Sequence, residues 1–358
     1  MYTDGDIDSA VRAGIMPPAT ASAFRDFVAG QRHAPLVDEE HFRLITGFND
    51  IFVTIAAVLL LVAVAWIGNA VPVPRIPEGP NALSPALVAA TAWGLAEYFT
   101  RRRRMALPSI LLLLAFSIGT FLALAFAIGT LLPMPAEGAD RTVALVGAFA
   151  AALTAFATWL HWRRFHVPIT VAAGTLAGVA LAIALLLAAM PIAGGALYAV
   201  LLMAGLAVFA FAMHWDMSDP TRTTRRADVA FWLHLLAAPL IVHPIFALLG
   251  LLDGGASIGE AGVVIALYVA MGLVAIAVDR RALLVSALAY VLYALSTLFR
   301  EFGAVSLNIA LTALVIGSAL LLLSAFWSAV RNSVLEVVPP TLRQRLPHGN
   351  RPADTASA

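Results

Sequence analysis

Cysteine is absent from this 358-residue chain and so is lysine, so all 22 basic residues are arginine. The first absence removes disulfides, thiolate chemistry and cysteine-ligated metals together. Charge of either sign is scarce: 12% of residues are charged, where soluble globular proteins carry about 25%. The net charge of +1 gives nucleic acid no global electrostatic hold, so no nucleic-acid partner is expected. Also missing are a phosphate-binding loop, a metalloprotease helix motif and a nucleotide fingerprint. Motifs therefore argue against ATP-driven transport within the chain, and no cofactor is expected. The first twelve residues, MYTDGDIDSAVR, are acidic where a secretory leader is basic, so no cleaved signal is expected and insertion starts from the first long apolar run.

What is present in excess is apolar surface. Apolar residues make up 61% of the chain and the mean hydropathy is +0.90. A soluble globule of this length could not cover so much apolar surface with so few charges, whereas lipid can. The expected fold class is all-α, a polytopic membrane protein of about ten transmembrane helices. The apolar runs are 48–68, 82–99, 107–132, 142–162, 167–190, 193–215, 228–252, 261–278, 281–299 and 304–327. The shortest has 18 residues, about 27 Å of helix and just enough to span. Pro72, Pro74, Pro77, Pro80 and Pro85 punctuate the first loop, and Pro133 and Pro135 the third. The weakest break is at 191–192, beside Pro191.

Arginine sets the orientation. With the N-terminus in the cytoplasm, 19 arginines fall inside and only Arg75, Arg141 and Arg300 outside, alternating loop by loop. Both termini are then cytoplasmic. An arginine precedes each odd-numbered span (Arg43, Arg104, Arg164, Arg226, Arg281), and Pro108 and Pro168 follow two of them at four residues. This pattern suits a repeated helical hairpin or a five-plus-five inverted arrangement. It equally suits unrelated pairs of spans joined by short loops. The arginine-only basic complement, with abundant Ala, Leu and Val, points to a GC-rich bacterial genome and hence the bacterial inner membrane.

Three regions are expected: a cytoplasmic segment 1–47 with two short helices, a bundle over 48–327, and a largely disordered cytoplasmic tail 328–358 rich in proline. In the first segment Gly14 ends one helix and Pro17-Pro18 open the next, whose stripe is Ala23, Phe24, Phe27 and Val28. Residues 5–30 then either bind a protein partner or lie on the membrane surface. Neither tail has room for a soluble catalytic domain.

Polar side chains within the spans are the candidates for function, because lipid penalises them. The run FWLHLLAAPLIVHPIF puts His234, Pro239, His243 and Pro244 in one span. Each proline removes a backbone donor, which predicts a kink, and His243 falls near mid-membrane. His243, His234 and, one turn into the last span, Asn308 are the candidate substrate or proton path. The alternative for each is an interhelical hydrogen bond. At 100° per residue, nine residues put His234 and His243 on opposite faces of a straight helix. Glu97 precedes Arg101 by four residues, the favourable order for an ion pair along a helix. Asn49 and Asp50 open the first span as helix-end hydrogen bonders.

No metal site is expected. The cytoplasmic rim gathers His161, His166, His214, Asp216, Asp219 and Asp228, but their spacings match no ligand motif. Asp4, Asp6 and Asp8 mimic the start of a calcium loop, which fails at Ser9 and Ile15. Nor is a catalytic residue expected. Gly255-Ala256-Ser257-Ile258-Gly259 has the form of a hydrolase elbow but lies between two spans, and no later span offers a histidine. Ala115, Gly119, Ala123 and Ala127, and Gly174 with Gly178, form small-residue stripes suited to close helix packing.

The stretches AVRAGIMPPATASAF, DEEHFRLITGFNDIF, HWRRFHVPITVAAG, RRADVAFWLHLLAAPLIVHPIF and RRALLVSALAYVLYALS together resemble a group of uncharacterised bacterial multi-pass membrane proteins of unknown function. In that group a short helical N-terminal segment precedes a many-helix membrane region. The resemblance implies this architecture and carries no activity or site residues. Two functions remain open: a secondary transporter or permease for a small solute, and a non-transporting scaffold or sensor acting through residues 5–30. The first predicts a polar cavity reaching His243, and the second a dry bundle. Membrane lipid is a partner under either.

Overall fold

The computed structural model describes residues 4–31, 48–71, 81–131, 139–190, 195–219, 224–250, 258–281 and 308–339, with isolated positions between 283 and 292 and residue 346. Every regular element among these residues is helical. Residues 1–42 form one compact unit and residues 43–358 a second. In the first unit, α1 (Asp4–Arg12) stops at Gly14, whose φ of +72° is a left-handed conformation that glycine adopts without strain. Then α2 (Pro18–Gln31) opens with proline at its first position, where a missing N–H costs nothing. Ala21 is buried in this unit, while Phe24 is exposed.

The second unit contains α3 (Phe48–Ala70), α4 (Leu83–Phe99), α5 (Ala106–Leu131), α6 (Ala139–Phe165), α7 (Ile169–Ala189), α8 (Gly195–Met217), α9 (Arg225–Leu248) and α10 (Ile258–Val278). It ends with α11 (Asn308–Ala325) and α12 (Trp327–Val337). Among the described residues, six helices are long and apolar enough to cross a membrane: α3, α5, α6, α7, α8 and α9. The helix α4 has 17 residues. The expected span 281–299 lies largely outside the described residues, as do the loop prolines Pro72, Pro74, Pro77 and Pro80 and the serine of the elbow-like string. The weak break at 191–192 separates two helices: Met190 is extended (φ −147°, ψ 145°) and α8 starts afresh at Gly195. One expectation needs correction. The first ten residues of the tail are ordered, because α12 runs to Val337 and buries Trp327 and Leu335.

Helix α9 is the axis of the bundle. Protein covers 56% of its most apolar stretch, against 17–33% for the other five spanning helices, which leave most of their surface to lipid. One core joins α3, α4, α5 and the α6–α7 turn through Leu61, Ala96, Leu112, Leu113 and Phe165. A second packs α7 and α8 on α9 through Ala172, Val208, Ala212 and Leu233. A third sets α10, α11 and Val291 against the end of α9 through Val242 and Phe246.

Close approach depends on small residues. A Cβ on Gly68 would lie 2.5 Å from Ser84 Cα, and one on Gly119 would lie 2.8 Å from the Pro85 carbonyl oxygen. Where α3 meets α4, Ser84 donates to the Ala65 carbonyl at 2.8 Å and Asn81 to that of Gly68 at 3.2 Å. Gly178, by contrast, has nothing within 4 Å of its Cβ position, so the expected stripe on α7 packs only at Gly174, where a Cβ would lie 3.1 Å from Thr158 Oγ1. Hydroxyls within the helices return to their own backbone, as in Thr54 to Asp50, Thr154 to Ala150 and Thr175 to Val171.

Three turns on one side of the bundle share a construction. Arg104, His166 and Asp279 each adopt a left-handed φ, of 52°, 52° and 60°. In each case the next residue (Met105, Val167, Arg280) is buried. The left-handed residue reverses the chain and drives its successor into the bundle. Two of the three successors are apolar, as the interior demands. The third is an arginine.

Candidate functional site

That arginine leads to the most polar place in the interior. Asp216, the penultimate residue of α8, Arg280, which follows α10, and His234, in the middle of α9, are 1%, 2% and 0% exposed. Arg280 approaches Asp216 with both arms of its fork: Nε donates to Oδ2 at 3.1 Å, and Nη2 donates to Oδ1. The same Nη2 also reaches the Ala227 carbonyl near the start of α9, at 3.2 Å. His234 Nε2 lies 2.9 Å from Asp216 Oδ2. One carboxylate thus ties three helices together, and its oxygens receive the guanidinium and the imidazole. Phe209 packs edge-on to the imidazole, with ring centroids 5.3 Å apart.

The local sequence explains the placement. Pro244 has no N–H to give the Leu240 carbonyl one turn back. Gly205 of α8 packs against that carbonyl, its Cβ position only 2.7 Å from both Leu240 C and O. Helices α8 and α9 can therefore approach closely enough for Asp216 and His234 to meet, 18 residues apart in sequence. The helix itself runs through both Pro239 and Pro244 without a break.

Of the three residues expected to line a path, only His234 belongs to this cluster. His243 is exposed and meets the Tyr198 ring, with centroids 6.0 Å apart. The opposite-face geometry of the two histidines holds, and they do not form one site. Asn308 is the first residue of α11, and its side chain lies outside the described residues.

The rim residues go separate ways. His161 is buried among Trp93, Phe116 and Phe165, with Thr170 Oγ1 at 3.3 Å from Nδ1. His166 and His214 are exposed. Asp219 accepts from the backbone N–H and the hydroxyl of Thr224, at 2.9 and 2.7 Å. Asp228 is half-buried near Arg280 and Arg225. Among the described residues no group of three such side chains could hold a metal ion.

Two further ionic contacts lie on the same side of the bundle. Glu97 pairs with Arg101 along α4 at 3.4 Å, and also with Arg164 of α6, at 2.8 and 3.0 Å. Asp279 accepts from the Trp327 indole at 2.7 Å, with Arg331 Nε at 3.7 Å, while the Arg281 guanidinium lies over the Trp327 ring at 4.8 Å. Helix α12 is tied to the end of α10 in this way. Among the described residues the bundle surface has several clefts, including one of about 610 Å³ between α7 and α8; two others bear on the argument. One, of about 550 Å³, lies among α3, α4 and α5 beside Asn69 and Asn81. The other, of about 490 Å³, lies among α5, α6, α7 and α9 and is lined almost wholly by apolar side chains.

Comparisons with protein-family models, curated proteins and solved structures found no match to this chain.

Proposed function

We propose that this chain is a secondary transporter or permease-like protein for a small solute, with the Asp216–His234–Arg280 cluster as its ion-responsive gate. The observation that carries this reading is the burial of a carboxylate on α8, an imidazole on α9 and a guanidinium just past α10, where α8 and α9 are long and apolar enough to cross a membrane. Charges within membrane segments are costly and mark ion or substrate paths more often than they mark glue. A cluster that shares one carboxylate can exist in two states. A proton or cation that competes with Arg280 for Asp216 would loosen the tie among α8, α9 and α10.

In the proposed topology the chain crosses a bacterial inner membrane about ten times and keeps both termini in the cytoplasm. The arginine distribution supports this, and the three arginine-rich turns fall on its cytoplasmic side. The cluster then closes the cytoplasmic end of the bundle. The resemblance of stretches along most of the chain to uncharacterised bacterial multi-pass proteins fits the same picture.

A second reading, as a scaffold or sensor, is favoured by one feature: residues 1–42 form a compact unit of their own. A thermal-shift screen of detergent-purified protein separates the two. It would run across pH 5 to 8, monovalent and divalent cations and a panel of small metabolites, on wild type and Asp216→Asn. Transport predicts that at least one ion, pH step or solute stabilises wild type and fails to stabilise the variant. If no condition shifts wild type, the transporter reading falls and partners of residues 5–30 become the subject.

A further inference from the structure

We propose that the apolar cleft among α5, α6, α7 and α9 holds an acyl chain of an anionic phospholipid, with the headgroup phosphate on Arg225. The cleft measures about 490 Å³, within the usual range of small-ligand sites of ~300–1,000 Å³. Its walls include Phe121, Leu176, Ala180, Trp232, Leu236 and Pro239. All four contributing helices are long and apolar enough to cross a membrane. An apolar recess at that depth is filled by hydrocarbon, because water there would find almost nothing to bond.

The headgroup end is marked by charge and by helix register. Trp232, Leu236 and Pro239 follow Arg225 at seven, eleven and fourteen residues, so all four lie along one face of α9. Arg225 therefore stands at the head of the stripe that lines the cleft. Its Nη1 donates to the His166 carbonyl at 3.4 Å, which holds the guanidinium across the α6–α7 turn, three residues before Ile169, a cleft residue on α7. That bond uses one of five guanidinium N–H donors and leaves a fork suited to a phosphate. Half-buried Asp228 and buried Asp219, which accepts from Thr224 beside Arg225, offset charge here while exposed Arg226 adds to it, so the anchor is the Arg225 guanidinium itself rather than a net charge. A diacyl phosphodiester meets both requirements, hydrocarbon below and one negative charge above.

The headgroup assignment rests on the orientation proposed above, and the acyl-chain assignment does not. Neither depends on transport. The test uses the full chain in a mild detergent, read by native mass spectrometry and by thermal shift. Phosphatidylglycerol and phosphatidylcholine with identical chains are the probes. Wild type should retain phosphatidylglycerol preferentially and gain more stability from it. Arg225→Gln should lose the headgroup preference, by about fivefold in relative affinity, while still retaining lipid. Ala180→Trp, which fills the cleft from a half-buried position, should lose retention of both lipids, and Leu176→Phe provides a milder filling. Equal retention of the two lipids by wild type would overturn the headgroup assignment. Undiminished retention by both filled variants would overturn the cleft. A failed solute screen with intact lipid selectivity would count against the transporter reading alone.

Discussion

Replacing Arg280 by methionine removes one partner from a carboxylate that is only 1% exposed. In the native protein Asp216 receives two donors from Arg280 and faces His234 Nε2, and the Ala227 carbonyl shares Nη2. The variant strips both guanidinium bonds from the carboxylate and one from the carbonyl, and leaves the carboxylate charge buried. Breaking a buried pair in this way costs about 3–5 kcal/mol. At roughly 2 °C per kcal/mol for a chain of this size, the apparent Tm in detergent should fall by about 6–10 °C. Removing both charges, as Asp216→Leu with Arg280→Met, should cost less than Arg280→Met alone, because the desolvation penalty disappears along with the pairing. The assay is a double-mutant cycle read by intrinsic fluorescence during heating, with Arg102→Met, at an exposed position, as a silent control. Additive losses in the double variant, or a loss under ~1 kcal/mol for Arg280→Met, would refute the view of the cluster as one coupled unit.

Other outcomes follow from the same geometry. Gly205→Ala should destabilise by about 1–3 kcal/mol, since its Cβ would press on backbone atoms of Leu240 at 2.7 Å, whereas Gly178→Ala, with open space around it, should leave the apparent Tm unchanged or raise it slightly. Trp327→Phe keeps a ring under Arg281 but deprives Asp279 of the indole donor, so α12 should loosen at a cost of about 1–3 kcal/mol and exchange its amide hydrogens faster; unaltered protection of α12 would count against this anchor. Because the chain holds no cysteine, single-cysteine labelling has no background: Ser218→Cys should react only from the cytoplasm and Arg141→Cys only from outside, and the reverse pattern would invert the proposed topology. Glu97→Gln should have little effect at high salt and a larger one at low salt, since its bonds to Arg164 and Arg101 are partly exposed and therefore screened.

The six long apolar helices among the described residues were legible in the sequence because lipid imposes a rule that leaves few alternatives. Every backbone polar group in hydrocarbon must be bonded within its own helix, so length and apolarity nearly decide the element. Loop arginines and prolines then mark the ends, as at Arg101–Arg104 and around Pro168. Amphipathic periodicity contributed little, since lipid-facing and protein-facing sides are both apolar and no strong stripe distinguishes them. The sequence accordingly gave no sign that α9 is the most enclosed helix, beyond its two prolines and two histidines. Helix α12 was missed because its polar residues, read linearly, look like those of a solvated tail. The indole bond from Trp327 to Asp279 ties residues 48 positions apart.

The candidate site was half legible for a related reason. His234 and Asp216 each stood out as polar residues in apolar surroundings, one within a span and one on the rim, yet nothing in their spacing paired them. Pairing required the approach of α8 to α9, which depends on Gly205 lying against a carbonyl that Pro244 cannot bond. In sequence that glycine resembles the many others, and Pro244 reads only as a kink. Arg280 was counted among the loop arginines that set orientation, because composition cannot say which loop residue points inward. The turns at Arg104, His166 and Asp279 show what decides it: a left-handed residue whose successor enters the bundle. Met105 and Val167 fill that position by hydrophobic burial alone. At the third turn the successor is charged, so the fold is stable only with a carboxylate waiting inside, and Asp216 supplies it. An arginine there costs more to bury than a methionine would, and it is the bond to the Asp216 carboxylate that offsets that cost.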